Sequence, residues 1–314
     1  MSDSLADIIG QRANQPVYPA IQALTDHIRQ KTPNAAAILF YGSCLRSGQD
    51  IGGIADLYVL VDSYRRSGQN RFWAAMNALL PPNVFYLEIP FENRRVRAKY
   101  AVLSLRDFEQ GVSMQWFHSY IWGRFAQPIA IAYARSRSDR ERVIAALANA
   151  VLTFMRRALP CTKTPFRAQD LWFKGLSLSY RSELRTEKPD KLAKLVAMYE
   201  AYYAAVTHAA ISQLPYAVSV EASGPHDRYT PRITKGERFK ARQIWRLRFY
   251  QGKILSILRL LKGAFTFSGG VAYVQWKIER HTGVRADIPA HLQRFPIIAV
   301  GLLAWRTYRQ GGFR

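Results

Sequence analysis

The stretch Ala36–Asp62, AAILFYGSCLRSGQDIGGIADLYVLVD, predicts two strands joined by a glycine-containing loop. The first apolar run ends at Gly42-Ser43, and the second, LYVLV, follows directly after Asp56. Glycine lets the backbone approach a phosphate closely, and the Ser43 hydroxyl can donate to phosphate oxygens. A carboxylate at the start of the neighbouring strand is a ligand that Mg²⁺ shares with a triphosphate. We therefore expect Gly42, Ser43 and Asp56 to form a nucleotide-phosphate site.

This spacing is typical of the nucleotidyltransferase fold, in which a Gly-Ser loop is followed about ten residues later by Asp-hydrophobic-Asp. The second carboxylate of that pattern would fall at Tyr58, and tyrosine cannot replace it in a two-metal clamp. The pattern is short, so a plain strand-turn-strand without chemistry stays open as an alternative.

Charge is the unusual feature of the composition. The 314 residues include 45 Lys and Arg against 22 Asp and Glu, a net charge of +23. Residues 231–314 hold 17 of the basic residues and three acidic ones, a net of +14. This excess predicts a polyanionic partner such as a nucleotide, a nucleic acid or an anionic membrane. The two cysteines show neither disulfide nor metal-ligand spacing, which indicates a reducing compartment.

The chain order predicts an α/β or α+β domain followed by a helical one. The N-terminal 35 residues favour helix, and charged and apolar periodicity makes residues 139–207 mostly helical. The Pro- and Gly-rich segment 215–236 predicts a loop. The predicted strands are 37–41, 57–61, 84–89 and 99–104, and the main predicted helices are 71–80, 140–159, 169–185 and 240–262.

The C-terminal segments carry features of a lipid interface. Lys240–Lys262 interleaves basic and aromatic residues, which suits either RNA stacking or a membrane surface. The apolar run Pro296–Trp305 is about half as long as a bilayer span requires, so it can lie in an interface or be a buried terminal helix. No apolar run reaches the roughly 18 residues of a membrane span. The N-terminus has neither a signal core nor transit-peptide character.

Five segments in order resemble one family, the mitochondrial translocator assembly and maintenance proteins, which are mitochondrial-type phosphatidate cytidylyltransferases. They cover roughly residues 36–280: FYGSCLRSGQ with ADLYVLVD, VFYLEIPF with RAKYAVLSL, WFHSYIWGRFAQPI, SYRSELRTEKPDKLAKLV, and GKILSILRLLKGAFTFSGGVAYVQWKI. The family carries an Asp-hydrophobic-hydrophobic strand, so Tyr58 fits it. Ala101 and Cys44 depart from glycines that are usual there, which leaves an altered substrate or lost activity open. The short N-terminus suggests a bacterial member.

The resemblance implies an α+β protein with three parts: a nucleotidyltransferase domain over residues 1–138, a helical, winged-helix-like domain over 139–235, and a basic, membrane-associating region over 236–314. The implied reaction converts CTP and phosphatidate to CDP-diacylglycerol and pyrophosphate with Mg²⁺. The protein would sit peripherally on the cytoplasmic face of the inner membrane, or on the matrix face if mitochondrial.

The resemblance also implies roles for individual residues. Asp56 would hold the metal, with Glu88 or Glu183 as possible helpers, although Glu88 equally fits a solvent-facing strand position. Catalytic roles would fall to Asp56, Ser43 and Lys99. The expected nucleotide- and phosphate-binding residues are Gly42, Ser43, Lys99, Tyr100, Arg124, Arg185 and Lys191.

Two alternatives come from other classes. A nucleotidyltransferase acting on RNA or another phosphorylated acceptor would use the same Gly-Ser loop, and its basic C-terminal tail would bind the phosphate backbone of the nucleic acid. A non-catalytic membrane-bound relative would keep binding without the second carboxylate. The resemblance speaks against nucleic acid as the partner.

Overall fold

A computed structural model describes residues 3–47, 53–66, 71–183, 188–222 and 227–266. Within these ranges the chain forms a five-stranded mixed sheet, a second sheet of three short strands, and eleven α-helices. This confirms the predicted α+β class. The assignments to the nucleotidyltransferase and winged-helix folds stay predictions, and Pro296–Trp305 lies outside the described residues.

The four predicted strands and the four main predicted helices are present, with bounds that differ by at most five residues, and four further strands in the described part of the chain were not predicted. The strands are β1 (Ala35–Tyr41), β2 (Ala55–Val61), β3 (Asn83–Phe91), β4 (Arg94–Ser104), β5 (Ala130–Ala134), β6 (Phe166–Arg167), β7 (Val218–Glu221) and β8 (Arg228–Pro231). The helices are α1 (Leu5–Ala13), α2 (Pro19–Lys31), α3 (Ser43–Ser47), α4 (Arg71–Leu79), α5 (Leu105–Gly111), α6 (Trp122–Phe125), α7 (Arg137–Ala158), α8 (Ala168–Arg181), α9 (Pro189–Met198), α10 (Glu200–Ile211) and α11 (Lys235–Thr266).

Capping residues set where several helices begin. The side chains of Ser104 and Ser136 accept hydrogen bonds from the backbone N–H three residues on and so cap α5 and α7. Pro19 and Pro189 open α2 and α9, where the missing N–H of proline costs nothing. These local interactions fix the first turn of each of these helices.

The main sheet has the strand order β3-β4-β2-β1-β5. The β2–β4 pair is parallel and the other pairs are antiparallel. In this register Tyr41 at the end of β1 pairs with Asp56 at the start of β2, and Asp56 pairs with Lys99 of β4. Three central strands therefore bring the loop, the carboxylate and a lysine to one edge of the sheet.

Both faces of the main sheet are covered. Side chains alternate between faces along a strand, so Ile38 and Val59 pack with Ile21 of α2, whereas Leu39 and Leu60 join the larger core on the other face. That larger core continues without a break into helices α7, α8 and α10. The main sheet and the helical segment, which we define as α7 to α10, thus share one apolar core.

The helical segment is held together by stacked aromatic rings. Phe154 of α7 stacks on Trp172 of α8 with ring centroids 4.6 Å apart, and Trp172 stacks on Tyr203 of α10 at 4.3 Å. Gly175 permits this approach, because a Cβ there would lie 2.4 Å from the Phe154 ring. Helix α7 with its extension to Cys161 is the one described helix long and apolar enough to cross a bilayer, but 67% of its most apolar window is buried inside the protein. It packs as a core helix.

The prediction of a loop over residues 215–236 is wrong in part. Strand β8 pairs antiparallel with both β6 and β7 to form the second sheet. The strands are only two to four residues long, so their alternation is too short to compete with the surrounding Pro and Gly in a sequence reading. Buried Tyr229 stacks on Phe166 across the sheet and fixes it to the core.

The predicted basic helix over 240–262 is confirmed as part of α11. Several of its polar side chains donate to backbone carbonyls of distant segments. Trp245 Nε1 donates to the carbonyl of Arg157 at 3.0 Å, and Arg259 Nε to that of Pro81 at 3.1 Å. Arg248 Nε reaches the Phe117 carbonyl at 2.9 Å. Helix α11 therefore contacts both α7 and the segment that precedes β3, and so links the helices to the main sheet.

Candidate active site

A cleft of about 610 Å³ opens at the sheet edge that carries the Gly-Ser loop. Its walls come from the ends of β1, β2 and β4 on one side and from helices α8 and α9 on the other. The lining residues are Tyr41, Gly42, Ser43, Arg46, Asp56, Lys99, Arg124, Gln127, Pro128, Tyr180, Lys191, Leu192, Lys194, Leu195, Met198 and Tyr199. Six predicted site residues therefore share one cleft, although they are spread over 150 positions of sequence.

Gly42 is required by the geometry of the loop. Its φ of +88° lies in the left-handed region that side chains rarely adopt. A Cβ at this position would lie 2.6 Å from Asp56 Oδ2, well inside van der Waals contact. Only glycine lets the loop pass this close to the carboxylate, and Ser43 follows at the lip of the cleft.

Asp56 is an unpaired carboxylate surrounded by positive charge. In the described part of the chain, no group hydrogen-bonds to the side-chain oxygens of Asp56, and it is the one acidic residue that lines the cleft. Burial raises the pKa of Asp56, while Lys99, Arg124 and Arg46 act to lower it. The side chain thus offers free oxygen ligands to a group that enters the cleft.

Arg124 is held rigidly by groups behind the cleft. Its Nη2 donates to Glu183 Oε1 at 3.2 Å, and its Nη1 to the Tyr58 hydroxyl at 3.4 Å. The guanidinium also lies 4.4 Å from the centroid of the Tyr120 ring and 5.6 Å from that of Tyr41. Burial and the positive charges of Arg124 and Arg259 oppose each other in their effect on the hydroxyl of Tyr120, and the net result is a lowered pKa.

The position of Tyr58 explains the departure from the two-carboxylate pattern. Its side chain is fully buried, edge-on to Phe125 with ring centroids 4.9 Å apart, and its hydroxyl accepts from Arg124. The tyrosine hydroxyl thus occupies a position next to the Arg124 guanidinium. The strand position is therefore used to fix an arginine.

Helix α9 supplies cations that complete the cleft. Lys191 and Lys194 of this helix line the cleft, as does Lys99 of β4. Among the described residues, Lys191 and Lys194 together with Arg46, Lys99 and Arg124 make five basic side chains around the Asp56 carboxylate. Arg46 and Lys194 were not among the sequence-based candidates. Arg46 lies three residues after Ser43, and this closeness to the loop was the available signal.

Three other candidates, Glu88, Tyr100 and Glu183, do not line the cleft. Glu88 does not reach the cleft: it bonds Arg95 and Arg97, each at 3.0 Å, on the outer strand pair β3–β4. Tyr100 lies on the opposite face of the sheet from Lys99, because neighbouring residues of a strand alternate, and it stacks on Phe85. Glu183 does not line the cleft and forms a salt bridge with Arg124, which does. Arg185 lies outside the described residues.

The donors present fit one divalent cation held jointly with a substrate. Mg²⁺ is commonly held by one or two carboxylates plus substrate phosphates and water, and Asp56 has its oxygens free for this. No cluster of three or more His, Cys, Asp or Glu side chains that could hold a metal alone occurs in the part of the chain the structure describes. Any metal here would therefore depend on ligands that the nucleotide brings.

Comparison with known proteins agrees with the sequence resemblance. No curated protein matches the chain. The sequence model of the family described as "phosphatidate cytidylyltransferase, mitochondrial" matches residues 62–246, more than half of the 314 residues. The match begins after Asp56 and includes Lys99, Arg124 and Lys191. The chain belongs to the family of mitochondrial-type phosphatidate cytidylyltransferases.

Proposed function

We propose that this protein transfers the cytidylyl group of CTP to phosphatidate, with release of pyrophosphate, at a membrane surface. The observation that carries the proposal is the cleft itself, in which, among the described residues, the unpaired carboxylate of Asp56 shares the lining with five Lys and Arg side chains beside a Gly-Ser loop. Two phosphorylated substrates bring negative charge that such a cleft would neutralise. Family membership supports the choice of CTP and phosphatidate as the substrates.

The chemistry is an in-line displacement at phosphorus. A phosphate oxygen of the lipid forms a bond to the α-phosphorus of CTP, and the bond from that phosphorus to the bridging oxygen of pyrophosphate breaks. The protein contributes positioning and charge neutralisation. Lys99 and Arg46 would bind oxygens of the triphosphate beside the loop. Arg124, whose planar guanidinium is already fixed by Glu183, suits a two-point contact with a phosphate.

Asp56 would hold Mg²⁺, with the remaining ligands supplied by substrate phosphates and water. Such an ion supplies neutralisation of charge on the phosphates when bound. Burial raises the pKa of Asp56, and a metal ion bound beside this carboxylate would favour its ionised form. Neither Glu88 nor Tyr58 is placed to assist, so among the described residues we assign the protein's share of the metal ligands to Asp56.

Helix α11 supports the membrane part of the proposal. Leu247, Tyr250, Ile254, Ile257 and Leu258 are each at least 44% exposed. Their spacing of three or four residues puts them on one side of the helix. An apolar stripe on a basic helix is typical of an amphipathic segment that lies in a membrane interface.

A transfer assay tests the function. Labelled CTP is incubated with phosphatidate vesicles or with RNA, and the labelled product is identified as lipid or nucleic acid. Wild-type protein should label phosphatidate in a metal-dependent manner. Asp56→Asn should lose this activity, whereas Asp26→Asn, a surface carboxylate paired with Arg29, should keep it.

Other outcomes would point to the alternatives. Labelled RNA would make the protein a nucleic-acid nucleotidyltransferase. Vesicle binding without any transfer by the wild-type protein would favour a non-catalytic relative, for which Tyr58 in place of a carboxylate would then be the reason. Full activity of Asp56→Asn would move the active site away from this cleft.

A further inference from the structure

A second basic cleft lies between α8 and α11, on a different side of α8 from the active site. It measures about 460 Å³ and is lined by Lys174 and Arg181 of α8 and by Arg242 and Arg246 of α11. Tyr180 of α8 lines the first cleft, and the two clefts share no lining residue. The helix therefore separates them.

The four cations of this second cleft lack acidic partners. Among the described residues, no Asp or Glu lines this cleft and none of the four cations forms a salt bridge. Within the same part of the chain, Arg246 donates only to Gln243 Oε1, at 3.2 Å. Exposed arginines elsewhere do pair, as Arg137 does with Glu141. Four like charges around one cleft repel each other, and a bound anion would relieve this repulsion.

Aromatic and apolar groups border the cations. Phe249 and Tyr250 line the cleft, and Tyr250, which is 64% exposed, also belongs to the apolar stripe of α11. The stripe continues from there through Ile254 and Ile257. A phosphate site that opens onto an exposed apolar stripe matches a phospholipid, which carries its acyl chains next to its phosphate. A polynucleotide would satisfy the cations and leave the stripe in water.

We propose that this second cleft binds the headgroup phosphate of an anionic phospholipid in the bilayer, separate from the phosphatidate that reacts. The forks of Arg242 and Arg246 would contact the phosphate oxygens, and the stripe would lie against the acyl chains. The inference rests on the proposed function only in placing the protein at a bilayer. Such a contact would hold α11 flat on the membrane while the active cleft takes its substrate.

Vesicle binding tests this without the reaction. Binding is measured by sedimentation with phosphatidylcholine vesicles that contain or lack phosphatidylglycerol, in the absence of phosphatidate. The variant Arg242→Gln/Arg246→Gln should bind the anionic vesicles about thirtyfold more weakly, since each Lys or Arg at an anionic surface contributes about 1 kcal/mol. The control Arg95→Gln/Arg137→Gln removes the same charge from exposed positions outside the cleft and should bind nearly as wild type.

A third variant separates a built site from diffuse attraction. Arg242→Lys/Arg246→Lys keeps the charge and loses the planar forks, so it should fall between wild type and the Gln variant. The variant Lys174→Gln/Arg181→Gln removes the two cations of α8 and should weaken vesicle binding in the same way. It replaces the α11 variants as the test if those fold poorly. Equal weakening by the control and by the cleft variants would overturn the proposal, as would displacement of vesicles by short single-stranded RNA.

The reaction is followed separately with water-soluble, short-chain phosphatidate. The Arg242→Gln/Arg246→Gln variant should transfer cytidylyl groups to this substrate at the wild-type rate, because the second cleft does not line the active site. If wild-type protein fails to use it while vesicle binding behaves as expected, the proposed reaction is at fault and the lipid site stands. If cytidylyl transfer proceeds and the variants of the second cleft bind anionic vesicles as tightly as wild type, the lipid site is refuted.

Discussion

Gly42→Ala tests the active-site geometry with the addition of one methyl group. The residue sits at φ +88°, and an L-residue in the left-handed region costs roughly 1–2 kcal/mol. The new Cβ would lie 2.6 Å from Asp56 Oδ2, about 0.8 Å short of ordinary contact, which starts near 3.4 Å. The loop or the carboxylate must therefore move by a comparable distance.

Two effects of different size follow. The free energy of unfolding should fall by about 1–2 kcal/mol, which leaves the protein folded. Cytidylyl transfer should fall much further, by about a hundredfold, because a displacement of about 1 Å at a catalytic group typically costs that factor. The measurements are urea unfolding followed by circular dichroism, and initial rates with CTP and phosphatidate.

Gly236→Ala is the matched control. It makes the same chemical change at the second residue of α11, where the nearest atom to the new Cβ is Thr234 Oγ1 at 4.0 Å. The rate of cytidylyl transfer should not change, and the free energy of unfolding should stay the same or rise by up to about 1 kcal/mol. Wild-type activity in Gly42→Ala would refute the close approach between the loop and Asp56.

Three further predictions concern charge and the membrane. Burial raises the pKa of Asp56, so the ionised carboxylate is disfavoured in the folded state. Asp56→Asn should therefore raise the melting temperature at neutral pH. This increase should shrink as the pH falls through the raised pKa towards the ordinary value near 3.8, because the wild-type carboxylate then becomes protonated. Equal melting temperatures at every pH would contradict the burial argument. Lys99→Ala should weaken CTP binding in calorimetric titration by about 1.5–3 kcal/mol, the usual contribution of a charged hydrogen bond, and an unchanged affinity would place the nucleotide elsewhere. Deletion of residues 288–314 should reduce sedimentation with anionic vesicles and leave CTP affinity intact; unfolding of the truncated protein would instead make this tail part of the core.

The sequence alone determined the parts of this protein that depend on neighbouring residues. The run Ala36–Asp62 predicts strand, loop and strand because alternation, a glycine and a β-branched run are local signals. Asp56 could be chosen for the same reason, since the loop and the next strand start are close along the chain. The basic helix over 240–262 was visible in its spacing, and the family resemblance rested on the order of such segments. Strand β5 and the β7–β8 pair were missed, because they are short and their pairing partners are distant in sequence.

The tertiary structure decided which distant side chains meet. Glu88 and Asp56 are both carboxylates on strands, but the order β3-β4-β2 puts two neighbour steps between their strands and pairs Glu88 with arginines. Lys191 and Lys194 reach the cleft only because the large apolar core packs the helical segment against the sheet. Tyr58 holds Arg124 where a carboxylate was expected, because α6 brings that arginine over β2. These outcomes depend on packing between segments far apart in sequence, and local patterns carry no information about that packing.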